Sequence, residues 1–237
     1  ETLETFRKII TDNLGKSFNS RTLTYLLPNY TTSISYGMIK LHKEDLGLRP
    51  ITTGYNAICS NAQKFLKRFV EPSLTECTYL VDSPSKAKQR LLADISKFDP
   101  KIHTIVSFDA TKLYTNVNTT RVLSPVLDTM YKSPDIYFLE KDEFGKRLPI
   151  PSRLNFRIFM QNVLKNYNIF ENNLGYYRQI GGLAMGSPVS GALSNVFIHL
   201  MEKTVVNNLI KDKTIIHWQR FADDVLCICK KDSITKI

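Results

Sequence analysis

The run Ile215-Ile216-His217-Trp218-Gln219-Arg220-Phe221-Ala222-Asp223-Asp224-Val225-Leu226-Cys227-Ile228-Cys229 decides how this chain folds. β-Branched, aromatic and apolar residues fill strand-length stretches on both sides of a short polar break, the pattern of a β-hairpin. Two adjacent carboxylates, Asp223 and Asp224, sit at its turn. Such a pair repels itself and gains nothing from burial unless a cation neutralises it. Taken alone, an Asp-Asp turn is ordinarily a solvated hairpin tip, so a chemical role requires a third acid elsewhere.

That acid lies upstream. Thr104-Ile105-Val106-Ser107-Phe108-Asp109 has the composition of a buried strand ending on an acid, followed by Ala110-Thr111-Lys112-Leu113-Tyr114. An ionised carboxylate is costly to bury unpaired. Asp109 is therefore either a helix cap or salt-bridge partner, or it joins Asp223 and Asp224 in an oxygen-rich site. Three such carboxylates suit two Mg²⁺ ions, with Mn²⁺ as a substitute, spaced about 3.5–4 Å for phosphoryl transfer.

Gly181-Gly182 and Gly186 precede Ser187-Pro188, which reads as a helix start with Ser187 as N-cap and Pro188 in the first turn. Val189, Ala192, Leu193, Val196, Phe197 and Leu200 then make an apolar helical stripe. The glycines serve either a tight strand-to-helix turn or a close backbone approach to a ligand.

Outward from these segments, helices and strands alternate without repeats. Leu3, Phe6, Ile9 and Ile10 fall at helical spacing, and residues 36–53 read as two strands around a polar loop with Gly47. Phe65, Leu66, Phe69 and Val70 share one helical face, with Lys64, Lys67 and Arg68 largely opposite. A helix over 120–130 carries Val122, Val126, Leu127 and Met130 inward, and another over 153–165 carries Leu154, Ile158, Phe159 and Val163. The polar stretch 131–151 reads as a long connection.

The chain has 237 residues, 43% of them hydrophobic, which supports a sizeable core in one or two domains. Its 32 basic and 22 acidic residues give a formal charge of +10, spread along the sequence, and this suits a polyanionic partner. Cys59, Cys77, Cys227 and Cys229 form neither a zinc pattern nor a disulfide scaffold, and the two in the hairpin are expected in the core. That cysteine usage suits a reducing intracellular setting, nuclear or cytoplasmic, and no membrane partner is expected, since no stretch approaches the ~20 apolar residues of a membrane span.

In order, Ser107-Phe108-Asp109 with Tyr114, then Gly186-Ser187-Pro188-Val189-Ser190, then Arg220-Phe221-Ala222-Asp223-Asp224 resemble the A, B and C motifs of reverse transcriptases. The finer wording is similar to that of Penelope-like retroelements. It includes Tyr36-Gly37-Met38-Ile39-Lys40-Leu41-His42-Lys43 with Leu48-Arg49-Pro50-Ile51, then Leu113-Tyr114-Thr115-Asn116-Val117. Tyr176-Tyr177-Arg178-Gln179, Gly182-Leu183-Ala184-Met185-Gly186-Ser187-Pro188 and Glu202 complete it. Ala222, Gly191 and Ile39 depart from the family's commoner Val, Pro and Pro, and none of these changes removes a charge or ligand.

The resemblance implies an α/β (α+β) right-hand polymerase with fingers and palm, an antiparallel palm sheet with flanking helices, and no thumb. Fingers are expected mainly over residues 1–100 and palm mainly over 101–237, with a fingers-like insertion around 118–180. The family's remaining palm motifs, primer grip and thumb are expected beyond Ile237, so the chain is expected to be part of a larger retroelement protein. The implied activity is RNA-directed DNA synthesis from an RNA template, a DNA primer and deoxynucleoside triphosphates. An RNA-binding remnant, a maturase-type enzyme or an RNA-dependent RNA polymerase are the alternatives, and the activity of the fragment itself stays open.

Within that frame Asp109 and Asp223 are expected to bind both metals, the Ala110 carbonyl to add a ligand, and Asp224 to act electrostatically nearby. Lys40, Lys43 and Arg49 would neutralise the triphosphate. Tyr114 would lie under the sugar and exclude a 2′-hydroxyl. Met185, Gly186, Ser187 and Pro188 would border the template and nascent base pair.

Overall fold

Helices and strands follow the apolar spacing of the sequence closely. In the computed structural model, which describes residues 2–27, 31–40 and 47–236, helices α1 (Thr2–Leu14) and α2 (Ser20–Leu26) precede strands β1 (Ser33–Ile39) and β2 (Leu48–Thr53). Helices α3 (Ser60–Val70) and α4 (Pro84–Ile95), strand β3 (His103–Asp109), and helices α5 (Leu113–Asn116) and α6 (Thr119–Lys132) come next. Short α7 (Pro134–Tyr137), α8 (Arg153–Gln161), β4 (Ile169–Asn172) and β5 (Gly175–Arg178) lead to the long α9 (Ser190–Lys211) and the hairpin β6 (Ile215–Phe221) and β7 (Asp224–Lys230). The chain divides into two compact units, one of Glu1–Ser73 with Tyr114–Leu193, the other of Leu74–Leu113 with Ser194–Ile237.

The first unit holds a four-stranded sheet in the order β2-β1-β4-β5. β1 and β2 form an antiparallel hairpin from Ile34 opposite Thr53 to Ile39 opposite Leu48. The Lys40 amide donates to the Gly47 carbonyl at 2.9 Å beyond the last pair. β1 meets β4 in parallel through Ser33 and Phe170, so this sheet is mixed rather than purely antiparallel.

The core of this unit is aromatic. Phe65 and Phe69 of α3 meet Phe159 and Phe156 of α8 at ring-centre distances of 6.2 and 5.0 Å, and Phe138 packs 5.3 Å from Phe156. Offset and edge-on rings of this kind add to simple area burial. α6 buries the expected Val122, Val126, Leu127 and Met130, together with Leu123. Its start is capped by Asn118, whose side chain accepts from the Arg121 amide at 3.1 Å.

α8 differs from expectation. Phe159 and Val163 are buried as expected, but Phe156 and Met160 join them in place of half-buried Ile158 and of Leu154, which is 65% exposed. The regular helix ends at Gln161 before a π-helical turn over Asn162–Asn166. The apolar face is rotated toward Phe156 and Met160, because Phe156 and Phe159 pack on the phenylalanines of α3.

The second unit is built on an antiparallel sheet in the order β3-β7-β6. Ile215, Cys227 and Cys229 form its buried centre, packed by Val106, Phe108 and Trp218 and by Leu209 and Ile210 of α9. Burial pushes the Cys227 thiol up to about 12, so it remains protonated as a core side chain. All four cysteines are free and buried.

β3 is not the fully buried strand its composition suggests. It lies at the sheet edge, and Ile105, Ser107 and Asp109 alternate outward while Val106 and Phe108 face the core. α4 starts at Ser83-Pro84 and is fastened to β6 through Asp94, whose carboxylate lies 2.9 Å from Nδ1 of buried His217. Among the described residues no helix is long and apolar enough to cross a membrane.

Candidate active site

The β6–β7 hairpin turns in two residues, because Phe221 pairs with Asp224 and only Ala222 and Asp223 lie between them. Hairpins this tight need a left-handed φ at the first turn position to match the strand twist. Ala222 supplies it at φ 52° without being glycine. Of the two turn residues only Ala222 is left-handed, the pattern of a type II′ turn.

Register brings the three acids to one end of the sheet. Asp109, the last residue of β3, lies directly opposite Asp224, the first of β7. Asp223 sits in the turn itself, and its carbonyl accepts the Ala110 amide at 3.2 Å. All three side chains are exposed. Directly paired residues share a sheet face, so Asp224 rather than Asp223 is the cross-strand neighbour of Asp109. Hard carboxylate oxygens at a solvated sheet end suit a hard divalent cation. Among the described residues no group of three or more His, Cys, Asp or Glu side chains is arranged to hold a metal ion. The acids are thus neighbours by backbone register, not a closed cage.

Behind the turn lies an ion pair that the sequence did not announce. Arg220 of β6 is fully buried, and Glu202 of α9 is 3% exposed. Nε of Arg220 donates to Glu202 Oε1 at 2.8 Å and Nη2 to Oε2 at 3.3 Å. Trp218 Nε1 also donates to Glu202 Oε1, at 3.1 Å. Nη1 donates to Asn195 Oδ1 at 2.6 Å and to the Ala222 carbonyl at 2.7 Å, and Nη2 reaches the Asn195 carbonyl at 3.3 Å. Arg220 and Glu202 both stand in the motif resemblance, but no local pattern pairs them; the further signal was a basic residue within an otherwise apolar hairpin. Asn195 and Glu202, seven residues apart on α9, share a helix face.

The remaining expected residues lie in the first unit, apart from Lys43, which falls outside the described residues. Arg49 is exposed on β2 opposite Met38, and Lys40 is half-buried just past β1. Tyr114 is half-buried in α5, and its carbonyl accepts the Leu183 amide at 2.7 Å. The Met185 carbonyl accepts the Thr52 amide at 2.7 Å. The segment 182–186 is thereby tied to both α5 and the end of β2.

Two glycines make these approaches feasible. A Cβ on Gly182 (φ 68°) would stand 2.8 Å from Thr115 Cα and from its carbonyl oxygen. One on Gly186 (φ 109°) would stand 2.2 Å from the Thr52 carbonyl oxygen. Ser187 does not cap α9 as its sequence suggests. Its amide bonds to the Ala184 carbonyl and its carbonyl takes the Ser190 amide, so it belongs to the preceding turn, with Pro188 beside it. The Ser187 hydroxyl is buried without a partner, and the helix begins at Ser190.

The same fold occurs in solved structures. Telomerase from Candida tropicalis in complex with the TWJ fragment of telomeric RNA matches with a TM-score of 0.58 at 14% identity, over 88% of this chain and 37% of that one. The chain has a polymerase-like fold. Apo telomerase of the same organism, truncated from its C-terminal domain, matches at 0.56 and 15% identity over 99% of this chain and 50% of that one. The RNA polymerase complex inside a dsRNA virus matches at 0.54 and 10% identity, over 99% and 21% respectively. The chain therefore spans half or less of the length of these neighbours. No model of a protein family matches the sequence, and no curated protein does.

Proposed function

We propose that this chain is the fingers and palm portion of a reverse transcriptase of the Penelope-like kind, which extends a DNA primer on an RNA template with deoxynucleoside triphosphates. The observation that carries this reading is the register of Asp109 with Asp224 beside Asp223 in the turn, within a polymerase-like fold. Fingers are assigned mainly to residues 1–100 and palm mainly to 101–237. The grouping of Tyr114–Leu193 with Glu1–Ser73 supports counting the insertion around 118–180 with the fingers.

Asp109, Asp223, Asp224 and the Ala110 carbonyl would hold two Mg²⁺ ions, which when bound activate the primer hydroxyl and neutralise the leaving pyrophosphate. Lys40, Lys43 and Arg49 are assigned to the triphosphate, where Arg49 offers paired donors to phosphate oxygens. Tyr114 is assigned to selection against ribose. Met185, Gly186, Ser187 and Pro188 are assigned to the template side, where Met185 supplies apolar rather than amide contact. An intracellular site of action goes with this reading.

The test is extension of a labelled DNA primer on an RNA template by the full-length protein, with deoxynucleotides and ribonucleotides in parallel reactions. Deoxynucleotide-dependent extension is expected. Preferential ribonucleotide incorporation would reassign the chain to RNA synthesis, and template binding without extension in any divalent ion would leave it an RNA-binding remnant.

A further inference from the structure

The guanidinium of Arg220 engages five acceptors, one for each of its N–H groups. Four of those bonds go to α9, to the carboxylate of Glu202 and to the side chain and carbonyl of Asn195. The fifth goes to the carbonyl of Ala222. That carbonyl belongs to the peptide unit joining Ala222 to Asp223, the central peptide of the two-residue turn.

The orientation of this peptide is the soft coordinate of such a turn. Type I′ and II′ turns share a left-handed first residue and differ chiefly in which way the central peptide faces. A flip of that peptide changes φ at the next residue, here Asp223, and so redirects its carboxylate. The flip would carry Asp223 to positive φ, which Asp tolerates better than most residues, and Ala222 already holds an unfavourable φ. Beyond the Phe221–Asp224 pair that closes the hairpin, the turn is held by the Arg220 guanidinium and by the Asp223 carbonyl's bond with the Ala110 amide.

We infer that Arg220, buttressed by Glu202 and Asn195, is a positioning residue that fixes the Ala222–Asp223 peptide and thereby aims the Asp223 carboxylate, an inference whose catalytic part rests on the polymerase reading above. The network is built for rigidity. A buried guanidinium needs a counter-charge and full hydrogen bonding to be tolerated, and Glu202 with Asn195 supplies both. The flanking backbone is pinned too, because the Arg220 amide donates to the Tyr79 carbonyl at 2.9 Å and the Val81 amide donates to the Arg220 carbonyl at 2.8 Å. The anchor therefore transmits the position of α9 to a turn that exposes its acids to solvent.

Arg220→Lys is the variant of choice, since it keeps the charge opposite Glu202 but cannot reproduce the planar five-donor fork. Asn195→Ala is the milder second variant, leaving the ion pair intact while removing one partner of Nη1. The first readout is hydrogen exchange at the Ala110 amide, which donates to the Asp223 carbonyl at 3.2 Å and so reports on the position of the turn, alongside the thermal midpoint. Exchange at Ala110 should rise about tenfold in Arg220→Lys and less in Asn195→Ala, while core amides of β6 and β7 stay protected.

The second readout is primer extension by the full-length protein. The value of kcat should fall about tenfold or more, while KM for the triphosphate and primer–template affinity stay within about twofold. Mn²⁺ affinity, followed by electron paramagnetic resonance, should weaken in parallel. Unchanged exchange at Ala110 in both variants would overturn the inference, as would a kcat equal to the parent's. If the parent itself neither binds Mn²⁺ nor extends primers, the catalytic half falls with the polymerase reading. The exchange measurement still decides whether Arg220 holds the turn.

Discussion

Tyr114 and Arg49 carry the two residue-scale assignments that kinetics can separate. The backbone of Tyr114 is held by the Leu183 amide, so shortening its side chain removes the ring without releasing that bond. Tyr114→Ala is expected to raise ribonucleotide use relative to deoxynucleotide use. Unchanged discrimination with normal deoxynucleotide incorporation would remove Tyr114 from sugar selection. Arg49 is exposed, so Arg49→Ala should leave the thermal midpoint in place while raising KM for the triphosphate and slowing incorporation. Gly186 makes a structural prediction at the same scale. A methyl group there meets the Thr52 carbonyl at 2.2 Å, on a backbone at φ 109°. Gly186→Ala should therefore cost about 2 kcal/mol or more in denaturant unfolding, and a neutral result would mean that the 182–186 segment is free to move away from β2.

At the scale of elements, most helices were legible because one face of each is apolar and the other is not, and the β6–β7 hairpin because two continuous apolar runs flank a short polar break. The stripe Phe65, Leu66, Phe69 and Val70 could fit only one helix phase, and α3 adopts it. In α8, Phe159 and Val163 are buried as the pattern indicates, and only the phenylalanines of a neighbouring helix, which no local pattern contains, rotate Phe156 inward and leave Leu154 exposed. The start of α9 was misplaced for a related reason, since Ser187 is drawn into a turn fixed by a bond from distant Thr52 to neighbouring Met185. The join of α4 to β6 was likewise invisible, as Asp94 and His217 lie 123 positions apart. That join yields a pH prediction. Burial raises the Asp94 pKa, but bonds from Lys97 and His217 outweigh it and leave the carboxyl below its ordinary value. A depressed folded-state pKa contributes stability that is present above the unfolded value and lost as pH falls through the folded one. The parent should consequently lose stability more steeply than Asp94→Asn below about pH 4, as read from urea midpoints across an acid series. Parallel acid profiles would show that the pair does not hold α4.

For the molecule as a whole, the sequence motifs and the three-dimensional register meet at one place, the sheet end where Asp109, Asp223 and Asp224 gather. The three acids could be nominated from sequence because carboxylates beside apolar strands demand a reason. Arg220 and Glu202 stand in the motif resemblance, but nothing in the sequence pairs them with each other or with Asn195, and only burial and hydrogen bonding show the anchor. The most direct measurement compares primer extension on an RNA template by the full-length protein and by its Asp223→Asn variant, with primer–template affinity determined for both. The amide keeps the size of the side chain and removes the charge that would hold Mg²⁺. Extension should fall at least about a hundredfold, while affinity for the polyanionic primer–template stays level or rises. An Asp223→Asn protein that extends primers at close to the parent rate would contradict the account.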